Sequence, residues 1–171
     1  MQRSSRTSSA IEQTNTYLTD QTNNTMASTS TYLYFVGKTE EAFAFYKEVF
    51  RSNYTGDTMR FSAMPAMDGQ PPMSEADKAL IMHIALPILG GHKLVGTDVL
   101  EERLGIKLKV GNNVQILLEP DTRTEADRLC KELSEGGEVD MPLGELPWGD
   151  YYGSCIDRFG VMWVFTCTGK K

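Results

Sequence analysis

The side chains that could do chemistry in this sequence are few, and His83 is the first of them. It lies within residues 80–88, an apolar, alternating stretch that predicts a β-strand. If the side that carries Met82 packs under a helix, His83 points to the opposite side. A neutral imidazole there can bond a substrate oxygen or act as a base. The alternative is a structural histidine whose hydrogen bonds are made within the folded chain.

Amide and aromatic side chains add a second group of candidates. Asn113 and Gln115 lie on one face of a predicted strand and offer donors and acceptors to a ligand, although they can equally cap backbone at a strand end. Trp148 lies in a loop, and Tyr151 opens the last hairpin. Aromatic walls with a few polar groups are typical of a small-molecule cleft. With His83, these four residues form the predicted ligand-binding set, and no residue is assigned a catalytic role.

Two amphipathic helices, each preceded by a strand, are predicted to position these side chains. A strand at 31–36 precedes a helix with an apolar stripe, and a strand at 114–119 precedes a second such helix, which opens with a capping box of Thr122 and Glu125. The two stripes are Ala42, Phe45, Tyr46, Val49 and Ala126, Leu129, Cys130, Leu133. Further strands are predicted at 54–64, 80–88, 93–97 and 139–143, with a closing hairpin at 148–165.

The two halves of the chain repeat one another. Glu41-Ala42 and Lys47-Glu48 recur as Glu125-Ala126 and Lys131-Glu132, each 84 residues further on. Because the order of strands around both helices also matches, we interpret the chain as a duplicated βαβββ module of the α+β class. Module 1 spans 31–98, a linker 99–112, and module 2 113–167, within one domain at 31–171.

This repeat resembles the vicinal oxygen chelate superfamily, which includes glyoxalase I, extradiol dioxygenases and bleomycin-resistance proteins. A closer resemblance within the superfamily is carried by Tyr32-Leu33, Glu41–Tyr46, Met64-Pro65, Pro71-Pro72, Ile81–Leu86, Gly111–Asn113, Glu125–Asp127, Trp148-Gly149, Gly153 and Asp157–Trp163. On these residues the chain is most similar to the PhnB-like branch, often labelled the 3-demethylubiquinone-9 3-methyltransferase family. The resemblance implies curled mixed sheets around a cleft, usually in a homodimer.

The same resemblance implies where a catalytic divalent metal would be held, by a His or Gln on the first strand of each module and a Glu on the last. Counted along this chain, the first-strand positions are Thr31 and Gln115, and the last-strand positions are Leu94 or Val95 and Val164. Only Gln115 is a plausible ligand. We therefore expect no metal or other cofactor. The weak candidates for a metal site are Gln115, Asp98 and His83.

Composition limits the partners. A formal net charge of −6 argues against nucleic acid and anionic membranes, which both require a basic surface. Three cysteines without CxxC spacing fit a reducing cytoplasm better than a disulfide framework. Residues 1–30 are mostly Ser, Thr, Asn and Gln, so we expect a disordered N-terminal extension. The expected partners are a small-molecule ligand and a second copy of the chain.

Three functions remain open at this stage. The first is a metal-free small-molecule-binding protein, which the missing ligands and the aromatic residues favour. The second is a metal-dependent lyase, isomerase or dioxygenase, which only the fold favours. The third takes the methyltransferase label literally, but the first predicted strand is followed by a single glycine, Gly37, rather than the Gly-rich turn that S-adenosylmethionine normally requires.

Overall fold

The computed structural model describes residues 27–65 and 71–168, which form two four-stranded mixed sheets with helices packed against them. The elements of the first half are β1 Ser30–Phe35, α1 Thr39–Phe50, β2 Met59–Arg60, α2 Glu75–Ala79, β3 Ile81–Pro87, β4 Lys93–Asp98 and α3 Glu101–Leu104. Those of the second are β5 Ile116–Leu118, α4 Arg123–Leu133, β6 Glu138–Glu145, β7 Tyr151–Ile156 and β8 Met162–Cys167. Most of the N-terminal extension, which was expected to be disordered, lies outside the described residues, and so do residues 66–70.

The two sheets have the same topology. Their strand orders are β1-β4-β3-β2 and β5-β8-β7-β6, and in each the first strand of the module pairs in parallel with the last. The other neighbouring strands are antiparallel. The predicted α+β class and the βαβββ repeat are therefore confirmed. Within the described parts of the chain the two sheets are not joined by strand pairing, so they are not closed into one.

Helix α1 forms where the apolar stripe predicts it. Ala42, Phe43 and Tyr46 are fully buried, and burial of each aromatic side chain contributes about 1.5–3 kcal/mol. The helix ends at Arg51, which adopts a left-handed conformation with φ of 49°. Helix α4 begins as predicted, because the Thr122 hydroxyl accepts a 3.2 Å hydrogen bond from the Glu125 amide.

Glycine at position 96 lets α1 pack closely on the first sheet. A Cβ atom added to Gly96 would lie 2.2 Å from the Phe43 ring, so only glycine fits beneath this helix. The face of the sheet that carries Gly96 is therefore the one covered by α1. On the second sheet, Trp163 occupies the face covered by α4 and is fully buried.

One hydrophobic core joins the two modules. The ring of Trp163 in β8 packs against two rings of α1, with centroid distances of 5.6 Å to Tyr46 and 5.7 Å to Phe50. The helix-covered faces of both sheets contribute to this core. Since the two faces of a sheet point in opposite directions, the other face of each sheet points away from the core. We call these the outer faces.

The expected strand at 54–64 is much shorter in the structure. Only Met59–Arg60 pairs with β3, and its register shifts between these two residues. Gly56 interrupts the extended backbone with a φ of 74°. After Arg60 the chain turns into a short 3-10 helix, so this edge of the first sheet is narrow.

Candidate functional site

The outer face of the first sheet carries aromatic and polar side chains together. Strand pairing aligns Tyr32 with Val95 and Tyr34 with Thr97, all on the face opposite Gly96. In β3, Ile84 pairs with Gly96 on the helix-covered face, so its neighbour His83 points to the outer face. The orientation expected for His83 is thus the one that the structure has. Its role in ligand binding stays a prediction.

Two tyrosines dominate this face. Tyr32 and Tyr34 are 48% and 54% exposed, and their ring centroids lie 5.1 Å apart. Partial burial, and after it the neighbouring Tyr34, raise the pKa of the Tyr32 phenol, whereas its hydrogen bond with Thr97 lowers it. Because the pKa is raised overall, the Tyr32 phenol is neutral at physiological pH and can both donate and accept a hydrogen bond. Neither tyrosine was among the residues predicted from the sequence, although their alternation with Leu33 and Phe35 in β1 indicates a separate face.

The outer face of the second sheet is mixed in the same way. Strand pairing places Leu117, Val164 and Ser154 side by side across three strands, with Tyr152 and Thr166 next to them. Leu117 is 53% exposed, whereas Ser154 is buried and its hydroxyl donates a 2.8 Å hydrogen bond to Asp140. This face therefore combines apolar surface with hydroxyl groups that a small ligand can use.

Asn113 and Gln115 do not lie within the sheet. Both are exposed and precede β5, which begins only at Ile116. Thr31, the position equivalent to Gln115 in the sequence repeat, lies in β1 one residue before Tyr32, so it points to the face opposite that of Tyr32. Its hydroxyl lies 2.9 Å from the His92 ring. The structure therefore does not bring the two implied first-strand ligands into equivalent places.

Trp148 and Tyr151 have different surroundings although they are close in sequence. Trp148 is 72% exposed at a turn in which the Gly149 amide donates to the Leu146 carbonyl. Tyr151 lies on the face covered by α4, where its hydroxyl donates to Asp127 and the Arg123 guanidinium lies 4.9 Å from its ring centroid. Trp148 is thus free to contact a ligand or partner, whereas Tyr151 fixes the start of β7 after the turn.

Asp98 is occupied by structural hydrogen bonds. Its Oδ1 accepts from the amides of Lys38 and Thr39 and from the Thr39 hydroxyl, at 3.0, 3.1 and 2.8 Å. Its Oδ2 accepts from the Ile81 amide at 2.9 Å. Asp98 therefore caps the N-terminus of α1 and faces the helix, whereas His83 points to the other side of the sheet. These two metal candidates are not brought together.

A metal site is not formed by the described residues. At 27–65 and 71–168, no three or more His, Cys, Asp or Glu side chains are grouped so that they could hold an ion. Of the implied carboxylate positions, Val95 and Val164 lie on the outer faces and Leu94 is buried on the face covered by α1, but neither valine nor leucine offers a metal ligand. The residues present do not fit the divalent metal of the superfamily's catalytic members.

Cys155 is not suited to act as a nucleophile in the folded chain. Cys130, Cys155 and Cys167 are all buried free thiols. The hydrogen bond with the Cys130 thiol, and after it burial, raise the pKa of Cys155 far above its ordinary value. A thiol in this state is not deprotonated at neutral pH and is a poor nucleophile.

The architecture defines the class of protein. A glyoxalase/bleomycin resistance/dioxygenase family enzyme from Burkholderia phytofirmans has the same fold, with a TM-score of 0.54, 12% identity, and coverage of 81% of this chain and 95% of that one. The family model described as 3-demethylubiquinone-9 3-methyltransferase matches residues 27–166, so the chain belongs to that family. Among the described residues, no helix has the length and apolar composition needed to cross a membrane.

Two further solved structures are similar to this chain in sequence and fold. Protein PA1353 from Pseudomonas aeruginosa is 30% identical, with a TM-score of 0.70, and the match covers 85% of this chain and 100% of that protein. The PhnB protein from Bacillus cereus is 24% identical, with a TM-score of 0.64 and coverage of 83% and 100%. No curated protein matches the chain.

Proposed function

We propose that this protein binds a small molecule without a catalytic metal, as a homodimer in the cytoplasm. The observation that carries the proposal is the pair of outer faces, each of which combines exposed aromatic or aliphatic surface with a few polar groups. This composition is the usual one for a small-molecule site. The three reduced thiols support the cytoplasmic location.

The arrangement of the two faces supports the proposed dimer. Within one chain they point away from a common core, so they cannot form the two walls of one cleft. A two-fold axis can bring the first outer face of one chain onto the second outer face of its partner, and symmetry then builds the same cleft twice. The exposed Tyr34 and Leu117 would be covered by this assembly.

Within that cleft we assign the ligand contacts by position. His83 lies on the first outer face, while Asn113 and Gln115 are exposed at the entry to β5. Trp148 offers an aromatic surface at the β6–β7 turn. Tyr151 acts indirectly in this proposal, because its hydrogen bond with Asp127 holds the strand that follows the turn.

A metal-dependent lyase, isomerase or dioxygenase is the alternative function, supported by the fold alone. Literal methyltransferase chemistry has less support, because the amides at the start of α1 are already bonded to Asp98. These amides are the groups that would hold an anionic cofactor at a helix N-terminus.

Ligand retention in variants tests the proposal. Native mass spectrometry of the purified protein is expected to reveal a co-purifying small molecule, and His83→Ala and Trp148→Ala should each lose it. His92→Ala is the matched control, since His92 bonds Thr31 rather than facing the outer surface near Tyr34. Elemental analysis and titration with Ni²⁺, Zn²⁺ or Mn²⁺ address the alternative. A stoichiometric ion of micromolar affinity would overturn the metal-free function.

A further inference from the structure

A further pocket lies at the junction of the two modules. It has a volume of about 340 Å³ and opens where the end of β1, the start of α1, the linker and the turn before β8 meet. None of the five predicted ligand-binding residues lines it. Its lining includes Phe35, Phe159, Leu108, Val110, Lys38 and Arg158, together with Glu41 and with Tyr34 of the first outer face.

The walls of this pocket are apolar and partly rigid. The Phe159 ring packs against Phe35, Phe45 and Tyr46 with centroid distances of 6.2, 5.8 and 6.0 Å. Aromatic pairs at these distances contribute about 0.5–1.5 kcal/mol each beyond their buried area, so Phe159 is held in place by its neighbours. On the opposite side Val110, which is 75% exposed, leaves apolar surface of the linker in contact with solvent.

The pocket carries a positioned cation. The guanidinium of Arg158 lies 4.2 Å from the centroid of the Phe45 ring. The base of the Arg158 side chain packs beside Gly136, where an added Cβ atom would lie 3.6 Å from the Arg158 Cβ. Among the described residues Arg158 pairs with no carboxylate, whereas Lys38 is neutralised by Glu41 at 2.7 Å. The lining therefore has one uncompensated positive charge, on a protein whose formal net charge is −6.

We propose that this pocket binds a small carboxylate with an aromatic or branched apolar body. The apolar part would pack on Phe159 and Val110, and the carboxylate would accept hydrogen bonds from Arg158. Arginine is suited to this role because its planar fork can bond both carboxylate oxygens at once. The volume matches the lower end of known small-molecule sites, so the pocket suits a ligand with a single ring.

Phenylacetate is a suitable probe. Amide chemical shifts in NMR spectra of the full chain should move saturably at residues 35–38, 108–110 and 158–160, with a Kd on the order of 1 mM for so small a ligand. Phenylacetamide, which has the same shape without the charge, should bind at least about fivefold more weakly, because it cannot form the charge-assisted pair.

Variants separate this site from general effects of charge. Arg158→Gln should weaken the binding of phenylacetate at least about fivefold, as the loss of the ligand's own charge does, and Val110→Glu should weaken it by placing a like charge at the mouth. Lys131→Gln removes the same positive charge from an exposed position of α4 and should bind as the wild type does. Shifts that are absent at 10 mM phenylacetate, or unchanged in Arg158→Gln, would overturn the proposal. Arg158 does not lie on either outer face. A negative result with phenylacetate therefore does not argue against the dimer cleft, which the His83 and Trp148 variants test independently.

Discussion

The phenol of Tyr46 in α1 donates a 2.7 Å hydrogen bond to the carboxylate of Asp157, which lies 111 residues away in the turn before β8. The same carboxylate accepts from the Trp163 indole and from the amides of Phe159 and Val161. Asp157 is 3% exposed, so four donors compensate for the burial of its charge. Asp157, in the turn before β8, thus joins the two modules of the chain.

The substitution Asp157→Asn tests whether the hydrogen bonds of Asp157 hold the two modules together. The amide nitrogen of Asn would face donors where a carboxylate oxygen now accepts, which leaves buried N–H or O–H groups unpaired. We expect a loss of about 2–4 kcal/mol in the free energy of unfolding, measured by urea denaturation. Asp121→Asn, an exposed change of the same kind, should shift stability by less than about 0.5 kcal/mol. Equal stability of the two variants would contradict the assignment.

Tyr46 predicts a pH dependence at the alkaline end. Burial, and after it the charge of Asp157, raise the pKa of Tyr46 well above its ordinary value of 10.0. The folded state therefore keeps the proton that the unfolded chain loses above pH 10. The stability that Tyr46 provides is complete below that pH and falls as the pH rises further.

Comparison of the wild type with Tyr46→Phe isolates this effect from other titrations. The free energy of unfolding of the wild type should exceed that of Tyr46→Phe by about 1–3 kcal/mol at pH 8, and this difference should become smaller above pH 10. Denaturation curves between pH 8 and 11 provide the measurement. A gap that is constant with pH would show that the raised pKa of Tyr46 does not contribute to stability.

Asp98 makes a second structural prediction. Asp98→Asn should cost about 2–3 kcal/mol, because the side-chain amide would confront the Ile81 amide and weaken the cap of α1. The variant should leave the affinity for divalent ions unchanged, since both oxygens of Asp98 serve backbone and hydroxyl donors. Asp57→Asn, an exposed change, is the matched control. A drop in metal affinity in Asp98→Asn alone would restore Asp98 as a ligand.

The sequence was most informative where local pattern and burial agree. The stripes of α1 and α4, the Thr122 cap and the repeated strand order are all local features, and the structure has each of them. Asp98 was beyond the reach of this approach, because the amides that it caps lie about sixty residues earlier in the chain. Such long-range hydrogen bonds leave no periodic signal in a single sequence.

The sequence repeat also shows that a shift of one residue in the alignment of the two modules changes which side chains are matched. Matching the helices gives an offset of 84 residues, which pairs Thr31 with Gln115. In the structure Tyr32 corresponds to Leu117 instead, since Tyr32 pairs with Val95 and Leu117 with Val164, each the third residue of the last strand of its module. Because side chains alternate between faces, an offset that suits the helices places strand residues on the wrong face.

The proposed dimer predicts the effect of a charge on the outer face. Leu117→Glu should weaken self-association by roughly a hundredfold, because an unpaired carboxylate would be buried between the chains. Sedimentation equilibrium gives the dissociation constant. Leu104→Glu, at an equally exposed apolar position of α3, should leave it unchanged. If the wild type sediments as a monomer at all concentrations, or if both variants weaken it alike, the outer faces do not form the interface.

The shared cleft itself is tested most directly by mixed dimers in native mass spectrometry. His83→Ala damages the first outer face and Tyr152→Ala the second, so each homodimer should lose the co-purified small molecule. A mixed dimer of the two chains contains one cleft with both defects and one cleft with neither, and we predict that it retains one molecule. A mixed dimer that binds none, while the wild-type dimer binds two, would contradict a site shared between chains.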